Sequence, residues 1–345
     1  MISASYNKYI LNFKQASGTS RGILKTKETW FFILNSEEKQ GVGECGLFRG
    51  LSIDDRPDYE SKIKWTCENI HKGLAYLLDA LTEFPSIQMG LHMAFKSLES
   101  QYKFELFPSA FTKGEASIPI NGLIWMGSES FMKQQIEEKI NAGFKCIKMK
   151  IGAIDFQTEI NLLKSIRKQF TSKDIELRVD ANGAFSPYEA LEKLKRLSDF
   201  DLHSIEQPIK QGQLEDMALL CEKTPLPIAL DEELIGVFSN LDKQSLLNTI
   251  HPQYIILKPS LVGGFKGSDD WIQAAEQQNI GWWITSALES NVGLSAIAQY
   301  TFQKNSDLPQ GLGTGSLFSN NFDSPLHVKH GALMYNNKTD WHITL

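Results

Sequence analysis

Apolar and polar positions are laid out differently in the first third of the chain and in the rest. Lys8–Phe13 and Thr29–Leu34 are rich in aromatic and β-branched residues and predict antiparallel strands. The small, polar run Ala16-Ser17-Gly18-Thr19-Ser20-Arg21-Gly22 between them predicts a flexible loop. Helical spacing of apolar residues follows over about Tyr59–Leu81 and Ser86–Tyr102. Strands followed by helices predict an α+β domain over residues 1–112. A stretch of proline, glycine and small residues near Pro108–Ala116 reads as its linker.

From Ser117 onward one unit repeats: a short apolar strand, a polar residue at its end, then a helix. The predicted strands are Ser117–Asn121, Lys145–Lys150, Glu176–Asp180, His203–Glu206, Pro227–Leu230, Tyr254–Lys258, Gly281–Ser286 and Leu308–Gly311. Between them Ser128–Ala142, Asp155–Phe170, Pro187–Leu197 and Asp269–Gln278 read as helices. Strand ends recur every 25 to 30 residues. Eight strands at that spacing predict a (β/α) barrel over residues 113–316, with a doubly wound sheet as the fallback. The pattern is weakest after Gly313, where the last helix should stand. The tail, 317–345, carries no barrel pattern and is expected to pack back on the N-terminal domain.

The polar residues that end the strands carry the chemistry, because barrel active sites lie at the C-terminal ends of the strands. In order they are Lys148 and Lys150, Asp180, Glu206, Asp231, Lys258 and Ser286. Consecutive parallel strands are neighbours, so Asp180, Glu206 and Asp231 should converge. Three unpaired carboxylates in one confined site repel one another and resist burial, and a divalent cation relieves both problems. An all-oxygen set favours Mg²⁺, with Mn²⁺ able to take its place, over zinc. Separate salt bridges along a rim are the alternative; recurrence at one place in the repeat argues against it. Strand alternation turns Lys148 and Lys150 to one face, and likewise Arg178 and Asp180. Lys148, Lys150, Lys258 and Arg178 then favour a small anionic substrate. A lysine beside other cations and a metal loses its proton more easily and can act as a base. The set points to metal-assisted removal of a proton α to a carboxylate.

Composition removes other classes. Against 35 Lys and Arg stand 41 Asp and Glu, a formal charge of −6, which argues against a nucleic-acid partner. No apolar run approaches the roughly 18 residues of a membrane helix, and Met1–Lys14 lacks the features of a signal peptide. A cytoplasmic location is therefore expected. Cys45, Cys67, Cys146 and Cys221 form no Cys-x-x-Cys pair and read as reduced thiols. His92 falls in a helical stretch and reads as packed. Gly41-Val42-Gly43-Glu44-Cys45-Gly46 fits Gly-x-Gly-x-x-Gly, but a polar turn precedes it and loop residues follow it. A dinucleotide fingerprint needs a buried strand before and a helix after, so a strand running into a loop is the better reading.

Taken together, Lys148-Met149-Lys150, Arg178-Val179-Asp180-Ala181-Asn182, Ile205-Glu206-Gln207-Pro208, Leu230-Asp231-Glu232 and Leu257-Lys258-Pro259 resemble the enolase superfamily, in its muconate-lactonising-enzyme-like subgroup. That superfamily pairs a Lys or His base with Mg²⁺. The likeness implies a capping domain and a modified (β/α)₇β barrel. No histidine ends the strand Ile284-Thr285-Ser286, unlike in mandelate-racemase-like members. Ser286-Ala287-Leu288-Glu289-Ser290-Asn291-Val292-Gly293-Leu294 and Gly311-Leu312-Gly313-Thr314-Gly315 narrow the resemblance to the o-succinylbenzoate synthase family. This implies a lyase of menaquinone biosynthesis that dehydrates 2-succinyl-6-hydroxy-2,4-cyclohexadiene-1-carboxylate. The implied catalytic residues are Lys150 and Lys258, and the implied Mg²⁺ ligands Asp180, Glu206 and Asp231. Glu232 is the implied partner of Lys258. Lys148, Arg178, Ser286, Asn291 and Gly293 are the implied substrate contacts. Loops about 17–22 and 46–54 would close over the site. Many relatives carry Ser where this chain has Glu233. An N-succinylamino-acid racemase on the same scaffold is the alternative activity; no Asp-x-Asp in Gly311–Ser316 matches the dipeptide epimerases.

Overall fold

The computed structural model describes residues 2–19 and 22–344. It begins with a long hairpin, β1 (Ser3–Thr19) against β2 (Gly22–Asn35), to which β3 (Gln40–Cys45) adds in antiparallel fashion. Strand alternation splits β2 between two cores. Phe31 belongs to the apolar cluster of the barrel, whereas Trp30, Phe32 and Leu34 pack with the N-terminal helices. The loop expected over 16–22 is strand up to Thr19 and again from Gly22; Ser20 and Arg21 lie outside the described residues. Ser17, Gly18 and Thr19 pair with Leu24, Ile23 and Gly22, and the irregularity falls just before them, at a register shift between Asn12 and Ser17.

The helix expected over 59–81 is two helices, Tyr59–Glu68 and Leu74–Ala80, with a single 3₁₀ turn between them. The break falls at Gly73, whose φ of +82° ends one element and starts the next. The following helix, Pro85–Glu99, starts on its proline and lies against β3. Contact there is so close that a Cβ on Gly41 would sit 2.2 Å from the Ala94 carbonyl oxygen, and one on Gly43 1.9 Å from that of Gly90. Two glycines of the Gly-x-Gly-x-x-Gly run are thus explained by packing of a strand on a helix.

The parallel sheet has seven strands in chain order: β5 (Gly122–Ile124), β6 (Cys146–Lys150), β7 (Glu176–Asp180), β8 (Ser204–Glu206), β9 (Ile228–Leu230), β10 (Tyr254–Leu257) and β11 (Gly281–Ile284). The segment expected as the first barrel strand, Ser117–Asn121, instead forms β4 (Ser117–Pro119), paired outside the sheet, and the ring opens just beyond it with β5. The expected eighth strand is reduced to bridges, Ile120 to Gln310 and Thr285 to Gly311, which join the two edges of the curled sheet. Helices start on side-chain caps that the sequence supplies. Ser128 accepts from the Phe131 amide at 3.3 Å, Asp155 from that of Thr158 at 3.0 Å, and Ser186 forms a capping box with Glu189. After Gly313 there is only the 3₁₀ turn Gly315–Leu317.

The tail has two attachments. Phe318 bridges Phe13, and Asn320 accepts from the Asn12 amide at 2.8 Å, both on β1. Beyond them β12 (Leu326–Lys329) and β13 (Ala332–Tyr335) form a hairpin that pairs with β4. Among the described residues no helix is long and apolar enough to cross a membrane. All four cysteines are free, and the His92 ring packs against Phe265 at 5.8 Å.

Candidate active site

Register alone brings the charged strand ends together: Lys150 pairs with Asp180 and Asp180 with Glu206 across adjacent strands. Asp180, Glu206 and Asp231 are buried, at 0%, 2% and 2% exposure. Lys148 Nζ lies 2.8 Å from Asp180 Oδ2 and also bonds Glu206 Oε2. Lys150 Nζ reaches Asp180 Oδ2 at 2.8 Å and Asn182 Oδ1 at 2.7 Å. On the opposite flank Lys258 Nζ bonds Asp231 Oδ2 and stands 3.9 Å from Glu206 Oε1. Three lysines thus face three acids.

Burial and neighbouring charges pull these groups in different directions. For Asp180, burial opposes ionisation, but Lys148 and Lys150 outweigh it and hold the carboxyl well below its usual range. Burial likewise opposes the charge on Asp231, and Lys258 prevails. Burial works against Lys148 and Lys258 too, yet their carboxylate partners raise both. Glu206 is the exception: burial, then Asp180 and Asp231, push it up to about 8. Its Oε1 is buried without a hydrogen bond.

That orphaned oxygen, set among acids, is what a hard cation would satisfy, and the all-oxygen set suits Mg²⁺. Each acid is nevertheless drawn onto a lysine. Among the described residues no three His, Cys, Asp or Glu side chains stand grouped to hold a metal ion as they are.

The three lysines line a cavity of about 210 Å³ at the barrel mouth. Its walls come from both parts of the chain: Gln15, Leu24, Phe48 and Leu51 from the N-terminal part, and Trp125, Trp283, Ser286, Leu288 and Thr314 from the barrel. Ser286 therefore stands where the sequence places it, its hydroxyl 2.6 Å from that of Thr314.

Three sequence-predicted contacts lie elsewhere. Arg178 faces the interior, as alternation requires, but one step of two residues sets it some 6–7 Å lower than Asp180. There it donates to Glu176 at 2.7 Å and to the Pro309 carbonyl at 2.9 Å, and its guanidinium stacks 4.2 Å from the Trp283 ring. It supports a wall residue and does not line the cavity. Asn291 is committed to the tail, donating to the Phe322 carbonyl at 2.7 Å. The Gly293 amide donates to Glu44 Oε2 at 2.8 Å. Glu44, from β3, also accepts from the Ser290 amide at 2.9 Å, the Ser290 hydroxyl at 2.5 Å and the Thr29 hydroxyl at 2.8 Å. The first turn of helix Asn291–Gln303 is thus already occupied by a buried carboxylate of the capping sheet.

Sequence reading also passed over residues that build the site. Asn182, two residues beyond Asp180, and Gln207, directly after Glu206, sit in the left-handed region, at φ 44° and 39°. Asn182 holds Lys150 and donates to Glu232 Oε1 at 3.1 Å. The signal was available: an amide side chain placed just beyond each of two strand-end acids. Phe48 and Leu51 fall within the loop 46–54 that the resemblance sets over the site, whereas Trp125 and Trp283 had no such signal, because apolar residues look alike whether they meet substrate or core.

With this geometry in place, comparison with known proteins gives a consistent answer. Residues 132–339 match the family model described as enolase C-terminal domain-like. The o-succinylbenzoate synthase of Desulfotalea psychrophila is 46% identical, over 96% of this chain and 98% of that protein. The crystal structure of MenC from the same organism superposes with a TM-score of 0.86 at 43% identity, covering 96% of this chain and 99% of that one. A dipeptide epimerase from Enterococcus faecalis, complexed with Mg and the dipeptide L-Leu-L-Tyr, shares the fold at a TM-score of 0.81 and 21% identity, over 97% of each chain.

Proposed function

This chain belongs to the enolase superfamily, among its o-succinylbenzoate synthases, and from that premise we propose how its residues divide the work of the dehydration. The enzyme is a lyase: it removes water from 2-succinyl-6-hydroxy-2,4-cyclohexadiene-1-carboxylate to leave 2-succinylbenzoate. In the proposed assignment Lys150, as the neutral amine, takes the proton α to the ring carboxylate. The electron pair of that C–H bond moves into the ring, and the C–O bond to the hydroxyl breaks. Lys150, now an ammonium, returns the proton to the departing hydroxide, so water leaves from the face that lost the proton. Aromatisation makes the step downhill.

Lys258 stays protonated across the ring and stabilises charge on the carboxylate. Lys148 orients that carboxylate. Asp180, Glu206 and Asp231 would hold Mg²⁺, which when bound supplies electrostatic stabilisation of the same developing charge. Phe48 and Leu51 on one side and Leu288 on the other would keep water from the ring. Arg178, Asn291 and Gly293 have structural partners and take no part in this assignment.

The observation that carries the reading is the placement of Lys150 and Lys258 in one cavity on either flank of the three acids. The test supplies the cyclohexadiene substrate with Mg²⁺ and follows its loss by absorbance. Wild type should convert it, and Lys150→Ala and Lys258→Ala should each lose at least about 10³-fold in turnover, within the range for a general acid or base. Near-normal turnover in either variant, folded by circular dichroism, overturns the roles.

A further inference from the structure

Glu233 is 6% exposed and lies two residues beyond Asp231. It is met by Gln207, fully buried and next to Glu206. The Gln207 amide nitrogen donates to Glu233 Oε2 at 3.0 Å and to the Ile209 carbonyl at 3.0 Å. Its amide oxygen accepts from the backbone N–H groups of Asp231 at 3.2 Å and Glu233 at 3.3 Å. The other oxygen of Glu233 accepts from the Gly212 amide at 2.7 Å. One amide and one carboxylate therefore tie the turn after β8 to the turn after β9, with Glu206 at the root of one and Asp231 at the root of the other.

This bracket works against a repulsion visible in the site. Glu206 and Asp231 are buried acids on adjacent strands, and Asp231 is among the charges that disfavour ionised Glu206. Backbone pairing of β8 with β9 ends where the Gln207 amide donates to the Ala229 carbonyl at 2.9 Å, before Asp231 is reached. The grip of Gln207 on the Asp231 amide extends that connection by one more residue. It requires Gln207 at a φ of +39°, a strained value for a residue with a side chain.

We infer that Glu233 is a positioning residue: acting through Gln207, it fixes the separation of Glu206 and Asp231 and so sets the affinity of the acid cluster for a divalent cation. The inference rests on the Mg²⁺ reading above. Its effect falls on cation affinity before turnover, since Glu233 touches neither the cavity nor the lysines. Side chains that orient metal ligands from behind change metal affinity by about 10- to 100-fold when removed.

The experiment titrates Mg²⁺ into the full-length protein by calorimetry, for wild type, Glu233→Ser and Glu233→Gln. Glu233→Gln keeps the volume of the side chain but replaces one of its two acceptors by a donor. The expected result is a Mg²⁺ Kd raised about tenfold in Glu233→Ser and by a smaller factor in Glu233→Gln, with kcat recovering at saturating Mg²⁺. A Kd within twofold of wild type in both variants overturns the inference, even if their unfolding midpoints without Mg²⁺ are lowered. Failure of wild type to bind Mg²⁺ overturns the metal reading itself, and this inference with it.

Discussion

Replacing Glu44 by alanine tests the junction between the capping sheet and the barrel. Its carboxylate is fully buried and accepts four hydrogen bonds, two of them from the backbone amides of Ser290 and Gly293. The hydroxyls of Thr29 and Ser290 can turn to other acceptors; the two amides cannot. Each buried donor left without a partner costs about 1–3 kcal/mol. Lys27 adds to the loss: it is 6% exposed, its Nζ has no hydrogen-bond partner, and Glu44 is one of the three acids whose charge supports it. The two stranded amides together come to about 2–6 kcal/mol, and removing one member of a buried charged set is destabilising by about 3–5 kcal/mol, which falls within that range. Equilibrium urea denaturation of Glu44→Ala at pH 7, followed by circular dichroism, should therefore show that loss relative to wild type. Glu44→Gln, which keeps one acceptor, should fall between. A change below about 1 kcal/mol in Glu44→Ala would refute the reasoning, because it would mean the two amides find other partners without cost.

Mg²⁺ should raise the thermal midpoint of wild type and leave an Asp180→Ala/Glu206→Ala variant unshifted; an equal shift in both would remove these acids as ligands. Burial raises Asp54 from 3.8 to about 6, against the bonds it accepts from Ser86. An acid raised in the native state binds its proton more tightly there than when unfolded. Its contribution is thus greatest below pH 3.8 and declines as pH rises through about 6, by about 3 kcal/mol in all. Asp54→Asn should flatten the pH dependence of stability over that interval in urea titrations, and an unchanged slope would show that Asp54 is not its source. Incubation with N-succinyl-L-amino acids in D₂O separates the alternative activity: no deuterium at the α-carbon excludes racemisation.

The barrel was legible because its signal is repeated. The strands are short and apolar, five of them run into a charged residue (Lys150, Asp180, Glu206, Asp231 and Lys258), and most helices between begin on Ser or Asp caps or on proline. What repetition cannot supply is height within the barrel. Alternation placed Arg178 on the inner face with Asp180, and only the structure shows it a rung lower, against Trp283. Contacts across long separations were equally out of reach. Asn291 and Gly293 lie in a run that reads as part of the site, yet Gly293 is held by a residue 249 positions earlier in the chain. The helical pattern over 59–81 is borne out but interrupted for a local reason, since the glycine at 73 takes a positive φ that an apolar pattern does not register.

The contact of β3 with helix Pro85–Glu99 has a mechanical consequence. With no side chain at Gly41 or Gly43 to act as a spacer, sheet and helix are pressed backbone to backbone. The same strand carries Glu44 near its end, bonded to Ser290 and Gly293 of the barrel. Sheet, helix and barrel are thereby locked as one block with no sliding plane among them. Phe48 and Leu51, which line the cavity from the segment just beyond this strand, are the places where substitutions should retune access to the site while the block stays intact.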